Sequence, residues 1–296
     1  MISDLLPDWE LVCGADAPPG LDLDLYLWHD EVGDLTISAC DPPREHYRLR
    51  FSDQASVDIF PRRQQILEAL PSPGVPQDTR DHFLADQVLP RVLAHEGRLV
   101  VHGAAVDVGS QAILILGHSG QGKSTLAASF AQAGFALLGD DATVVSRRGD
   151  RSFVRAVYPS LRLLPDSIGA LYSEVPDTGS VAHYTPKRRV RLPQMRKGEA
   201  ALAAIFVIES PSRDSAIVTE PLSIAQSCLA LITNSFALDP SDLELAREKM
   251  EEASACAREV PAFALSYPRD FQRLPDVRAA ILDRLEQVGA DAAGGR

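Results

Sequence analysis

The sequence predicts an α/β fold, a mixed sheet flanked by helices around a P-loop core, preceded by a small β-rich N-terminal unit. Three observations carry this expectation. Residues 112–133, AILILGHSGQGKSTLAASFAQA, read as a short apolar strand, a glycine-rich loop and a helix that stops at Gly134. Residues 1–60 hold short apolar bursts cut by turn residues such as Pro18-Pro19-Gly20, Gly33 and Pro42-Pro43. Beyond residue 200, apolar β-prone runs alternate with helical stretches, as in a sheet covered by helices.

The central loop satisfies G-x-x-x-x-G-K-[ST] at Gly117, Gly122, Lys123 and Ser124. Between strand and helix, this pattern is a phosphate-binding loop. With few bulky side chains, the backbone N–H groups of Gly117, His118, Ser119, Gly120, Gln121, Gly122, Lys123, Ser124 and Thr125 can wrap phosphate oxygens. The positive end of the following helix then favours the anion. Lys123 is placed to reach the outer phosphates, and the Ser124 hydroxyl to hold Mg²⁺. The stretch predicts nucleotide binding.

Composition narrows the partners. The chain has 296 residues, 45% hydrophobic and 24% charged, with 29 cationic against 41 anionic side chains and a net charge of −12. Such a balance argues against nucleic acid or an anionic membrane as the main partner and also serves solubility. Cys13, Cys40, Cys228 and Cys256 form no C-x-x-C pair, so no zinc or thioredoxin-type signal arises and a reduced, cytoplasmic chain is expected. MISDLLPDWE lacks the features of a signal peptide. No apolar run approaches the roughly 20 residues that span a bilayer.

In chain order, LDLDLYLW (21–28), DLTISAC (34–40), HYRLRF (46–51) and SVDIF (56–60) are strand candidates of the N-terminal unit. PSPGVPQD (71–78) reads as a linker, dividing the chain into residues 1–78 and a catalytic domain over 79–296. A helix is expected over 79–97, with Thr79 as N-cap, a bend at Pro90 and a stop at Gly97. His82 and His95 on it read as surface or packing residues. RLVVHGAAVDVG follows as a pair of β-prone runs broken at Gly103.

Beyond the P-loop helix, FALLGDDATVV (135–145) is expected as one strand that delivers Asp140 and Asp141. A carboxylate after an apolar strand beside a P-loop suits Mg²⁺ coordination or activation of a nucleophile. RRGDRS (147–152) reads as a hairpin turn, Pro165-Asp166 as the start of a short helix, and 172–186 as a mobile loop. KRRVRLP (187–193) brings four cations in five positions, which suits either anionic groups of a substrate or a solvated basic face. A strand (201–210), two helices, the strand VPAFALSYP and a C-terminal helix opening at Pro275 complete the chain.

His102, the loop GHSGQGKST and the aspartate pair together resemble the catalytic domain of the HPr kinase/phosphorylase family, which shares its P-loop fold with phosphoenolpyruvate carboxykinases. His102 precedes Lys123 by 123 − 102 = 21 positions and Asp141 follows it by 141 − 123 = 18, the family's own intervals. The resemblance is close over about residues 98–147 and looser to about 193. It implies ATP and Mg²⁺, with Lys123 on the β/γ-phosphates, Ser124 and Asp140 at the metal, Asp141 as the base toward a seryl hydroxyl and His102 beside the transferred phosphoryl group. Arg162 stands for the family's arginine, and Lys187, Arg188 or Arg189 for its later basic loop. The chain departs from the family at Thr125, where a glutamate is usual, and before Arg162, where no glutamate stands at the expected place; Asp166 is the substitute candidate.

The whole-chain layout resembles HPr-kinase-like bacterial proteins tied to lasso-peptide and other modified-peptide pathways. That resemblance implies an acceptor serine on a peptide or small protein; the acidic composition leaves nucleic acid and membrane out as partners, and the HPr kinase/phosphorylase resemblance allows a homo-oligomer. Two other readings of the same residues are a small-molecule kinase and a nucleotide-sensing module without turnover.

Overall fold

A computed structural model describes residues 2–15, 25–30, 35–39, 45–51, 55–69, 74–209 and 216–294. The chain divides into two compact units. The first comprises Met1–Gly97, Ala182–Thr185 and Ala237–Arg247; the second comprises Arg98–Val181, Pro186–Phe236 and Glu248–Arg296. Part of the expected linker, residues 71–73, lies outside the described residues, as do 21–24 of the first expected strand.

In the first unit, a short helix α1 (Ile2–Leu5) precedes β1 (Glu10–Ala15), β2 (Leu25–Asp30), β3 (Leu35–Ala39), β4 (Tyr47–Phe51), β5 (Ala55–Phe60) and β6 (Gln65–Ala69). They form a sheet of order β1-β6-β5-β4-β3-β2, antiparallel except for the β1–β6 pair. Alternation dictates which face is buried. In β3, Leu35, Ile37 and Ala39 are buried while Thr36 and Ser38 are half-exposed, the two-residue period of a one-sided sheet.

Helices α2 (Gln77–Phe83) and α3 (Leu89–His95) belong to the same unit. A π-type turn, Leu84–Val88, joins them. Pro90 explains the irregularity, since proline has no N–H for the carbonyl four residues back and its ring crowds that turn. Thr79 is not the N-cap. The helix starts at Gln77 after Pro76, and Thr79 is buried with its hydroxyl 2.9 Å from His183 Nδ1. Gly97 closes the helical stretch in the left-handed region at φ 76°.

The second unit is built on β7 (Leu99–Val101), β8 (Gly103–Asp107), β9 (Ala112–Leu116), β10 (Ala136–Gly139), β11 (Thr143–Arg148), β12 (Arg151–Ala156), β16 (Glu199–Ile208), β17 (Val218–Pro221) and β18 (Ala262–Ser266). Its path runs β10-β8-β9-β16-β12-β11-β7, with β18 also on β16 and β17 outside β18. Strand β16 is the spine: its first residues pair antiparallel with β12, while its second half runs parallel to both β9 and β18. A smaller sheet, β13 (Leu161–Leu163), β15 (Arg188–Val190) and β14 (Thr178–Ser180), lies within the same unit. β14 thus places a short strand inside the segment read as a mobile loop, residues 172–186.

Helices α4 (Lys123–Gln132), α5 (Pro165–Leu171), α6 (Ile224–Thr233), α7 (Leu243–Glu259) and α8 (Leu274–Gly294) complete the described elements. Two apolar clusters fill the second unit. One gathers Leu126, Ala127 and Phe130 of α4 with Ile113, Ile115, Phe206, Phe263 and Ile281. The other gathers Leu114, Leu116, Ile205 and Leu231 with Ala253 and Cys256 of α7. Ile113 and Ile115 thus face one cluster and Leu114 and Leu116 the other, so β9 is apolar on both faces because both are covered. No helix among the described residues is long and apolar enough to cross a membrane.

Candidate active site at the phosphate loop

The site begins where β9 ends. All five residues of AILIL are buried, so the strand is held between β8 and β16 and delivers Gly117 at a defined place. Gly117 takes φ 145° and a side chain there would come within 3.1 Å of the Ile208 carbonyl oxygen. Gly122 at φ 94° is the N-cap residue of α4. Both positions demand glycine. The Gln121 carboxamide oxygen accepts from the His118 N–H at 2.7 Å and braces the turn.

Lys123 is buried, and its Nζ donates to the carbonyl oxygens of Gly117 at 2.6 Å and His118 at 3.1 Å. Burial pulls its pKa below the ordinary lysine value, Asp140 and Asp141 push it back up, and Lys187 lowers it further. Lys123, both aspartates and Lys187 therefore share one electrostatic neighbourhood. The Thr125 hydroxyl sits 3.1 Å from Ser167 Oγ, tying α4 to α5.

The aspartate pair corrects the single strand expected over 135–145. The chain leaves β10 at Gly139, turns through Asp140–Ala142 and re-enters the sheet as β11. Asp141 adopts φ 74°, a left-handed conformation uncommon for a residue with a side chain. The turn is held on several sides. The Asp141 N–H donates to Asp140 Oδ1 at 2.9 Å, the Gly103 N–H to the Asp141 carbonyl at 3.2 Å, and the Thr143 hydroxyl to the Gly103 carbonyl at 3.0 Å. Backbone strain this well braced is typical of functional turns.

Asp140 is only 1% exposed. Burial drives its pKa up to about 7, helped by the charge of Asp141 and opposed by Arg162, by a hydrogen bond from Ser124 and by the Arg162 backbone. Arg162, buried on β13, donates through Nε to Asp141 Oδ2 at 2.6 Å, and its second guanidinium arm reaches the same oxygen. The backbone N–H of Arg162 lies 3.4 Å from Asp140 Oδ2. One residue thus addresses both carboxylates.

Lys123, Ser124, Asp140, Asp141 and Arg162 are brought together, and Lys187 lies near enough to act on Lys123. His102 sits in the link from β7 to β8, its N–H donating to the Asn234 carbonyl at 2.6 Å and its ring edge-on to Phe236 at 6.3 Å. Its successor Gly103 is bonded to Asp141, so His102 flanks the aspartate turn. Arg188 is exposed on β15, paired in register with Leu163 and Ser180. Asp166 is exposed in the first turn of α5.

Sequence reasoning missed Tyr267. A Cβ placed on Gly122 would lie 3.3 Å from the Tyr267 hydroxyl. The available signal was a tyrosine just past a strand that runs parallel to the spine, but strand order is not written in the sequence.

Comparison with known proteins finds similarity over the segment that holds these residues. The family described as HPr Serine kinase C-terminal domain matches residues 93–163. The HPr kinase/phosphorylase of Mycoplasmopsis pulmonis (strain UAB CTIP) is 42% identical over 67 residues, 23% of this chain and 22% of that protein. That of Chlorobium phaeobacteroides (strain BS1) is 38% identical over 53 residues, 18% of this chain and 16% of that protein. The chain thus spans about a fifth of the length of the curated relatives it matches. Among solved structures, the Hpr(Ser) kinase/phosphatase from Coxiella burnetii is similar at a TM-score of 0.36 and 10% identity, covering 64% of this chain and 97% of that one. Residues 93–163, the segment that the HPr Serine kinase C-terminal domain family matches, hold His102, the whole phosphate loop, both aspartates and Arg162, and there the chain is similar to HPr kinase/phosphorylases.

Proposed function

We propose that this chain is an ATP- and Mg²⁺-dependent kinase that transfers the γ-phosphoryl group to a serine hydroxyl of a peptide or small protein in the cytoplasm. The observation that carries this reading is the buried convergence of Lys123, Asp140, Asp141 and Arg162 at the end of the phosphate loop. Phosphoryl transfer asks the protein for positioning and charge neutralisation more than for covalent chemistry, and these residues supply both. The relatives' name, HPr kinase/phosphorylase, supports a protein acceptor. The layout resemblance supports a precursor peptide of a modified-peptide pathway.

The residues fit a magnesium ion. Among the described residues no three His, Cys, Asp or Glu side chains form a metal cage. Magnesium needs none, since it is held by one or two carboxylates together with substrate phosphates and water. Asp140, buried and disfavoured as a lone anion, with the Ser124 hydroxyl on it, offers such a carboxylate. When bound, the ion would neutralise charge on the phosphates. Lys123 exchanges its loop carbonyls for phosphate oxygens. Arg162 fixes the plane of the Asp141 carboxylate, which accepts the proton of the serine hydroxyl as the phosphoryl group arrives. His102 borders that group.

The test is intact-mass analysis of the purified protein with Mg·ATP and the peptides encoded beside its gene. A phosphorylated peptide is expected, and a folded, nucleotide-binding protein that phosphorylates none would refute the reading. Lys123→Ala should abolish nucleotide-dependent activity. Asp141→Asn should spare ATP binding and remove transfer; loss of both together would indicate a structural role for Asp141.

A further inference from the structure

Strands β9, β16 and β18 are parallel and in register at their carboxyl ends. Leu116 stands opposite Val207, and Ile208 opposite Leu265. Nucleotides bind beyond the carboxyl ends of parallel strands, and here three such ends open on one edge. The first ends in the phosphate loop. The third ends in Tyr267-Pro268-Arg269, a segment to which the phosphotransferase reading assigns nothing.

Phe263, Leu265 and Tyr267 alternate onto the face that α4 covers, in one cluster with Leu126 and Phe130. The Tyr267 ring is therefore wedged under α4, 6% exposed, while its hydroxyl reaches the N-terminal end of that helix at Gly122. Among the described residues that hydroxyl makes no hydrogen bond. Burial holds the phenol up at about 12, with the nearby Arg269 opposing, so it is a neutral O–H donor at physiological pH. Arg269 is exposed beside it. A buried donor thus stands against the N-terminal end of α4, and an exposed cation follows it two residues along the chain.

We infer that Tyr267 and Arg269 form a second wall of the nucleotide site, the Tyr267 hydroxyl donating to a phosphate oxygen held by the loop and Arg269 countering the phosphate charge. The inference rests on the nucleotide-binding reading above and adds to it residues about 150 positions downstream of the loop motif. A hydrogen bond to a charged phosphate justifies a loss of about tenfold in affinity when the hydroxyl is removed. An exposed cation justifies about threefold.

The experiment titrates the full-length protein with fluorescent N-methylanthraniloyl-ADP and with pyrophosphate as competitor, for wild type, Tyr267→Phe and Arg269→Gln, with melting curves taken without nucleotide. Expected are unchanged melting curves, about tenfold weaker binding of both probes by Tyr267→Phe, and about threefold weaker, less salt-dependent binding by Arg269→Gln. Wild-type affinity in both variants overturns the inference while leaving the kinase reading intact. Weaker binding of the fluorescent nucleotide alone, with pyrophosphate unaffected, overturns the phosphate contact. A wild-type protein that binds neither probe overturns the kinase reading and the inference together.

Discussion

Asp140 and Asp141 are neighbours in sequence with different physics. Asp140 is buried with its proton affinity raised to about 7, while Asp141 is clamped by the Arg162 guanidinium in a left-handed turn. Asp140→Asn removes the need to ionise a buried group, so the melting temperature at pH 8 without ligand should not fall below wild type. The same variant should lose the Mg²⁺-dependent part of nucleotide binding, read by titration with and without EDTA. Arg162→Met withdraws the guanidinium from a buried carboxylate. A loss of about 3–5 kcal/mol in urea unfolding is expected, with Arg162→Lys intermediate because an ammonium cannot make the fork.

Among elements, the β10–β11 connection depends on close approach at Gly139. A Cβ there would collide with Ala156 and stand 2.9 Å from the Tyr158 carbonyl oxygen. Gly139→Ala should therefore destabilise the protein by about 1–3 kcal/mol and, by displacing the aspartate turn, reduce transfer more than nucleotide binding. Kinetic constants beside a binding titration separate the two. In the spine, Phe206 is fully buried and stacked on Phe263 at 5.5 Å. Its replacement by alanine should cost about 3–5 kcal/mol in denaturant unfolding.

For the whole molecule, ligand and pH should act through different groups. A nucleotide that binds only the folded state, at a hundred times its dissociation constant, adds about 2.7 kcal/mol, or about 5 °C of melting temperature. Mg·ADP should produce that rise in wild type and not in Lys123→Ala. In the first unit, burial of Asp58 opposes its ionisation, but hydrogen bonds and charge from His46 and Arg48 outweigh burial and hold its pKa below the ordinary value. A depressed carboxylate stabilises the fold above the unfolded-state pKa near 4 and loses that contribution as pH falls through the folded value. The difference between wild type and Asp58→Asn in urea midpoint should be full at pH 6 and shrink toward pH 3.

The phosphate loop, the aspartates and the alternating strands were legible in the sequence because each is a local pattern: spacing around a turn, a period of two, a helix stop. Lys123 and Ser124 follow the end of β9, and Asp140 and Asp141 the end of β10, so chain continuity places each pair at its own strand end. Reading 135–145 as one strand failed because its break depends on Gly139 meeting Ala156 and on Asp141 meeting Arg162, encounters between distant residues. Thr79 failed as a cap for a similar reason, its hydroxyl being taken by His183. By itself, then, the sequence determined a G-x-x-x-x-G-K-S loop between a strand and a helix, with two carboxylates after the next strand. Only the tertiary structure decided that Arg162 closes on those carboxylates and that Tyr267 stands against Gly122, because sheet order, not spacing along the chain, sets which strand ends meet.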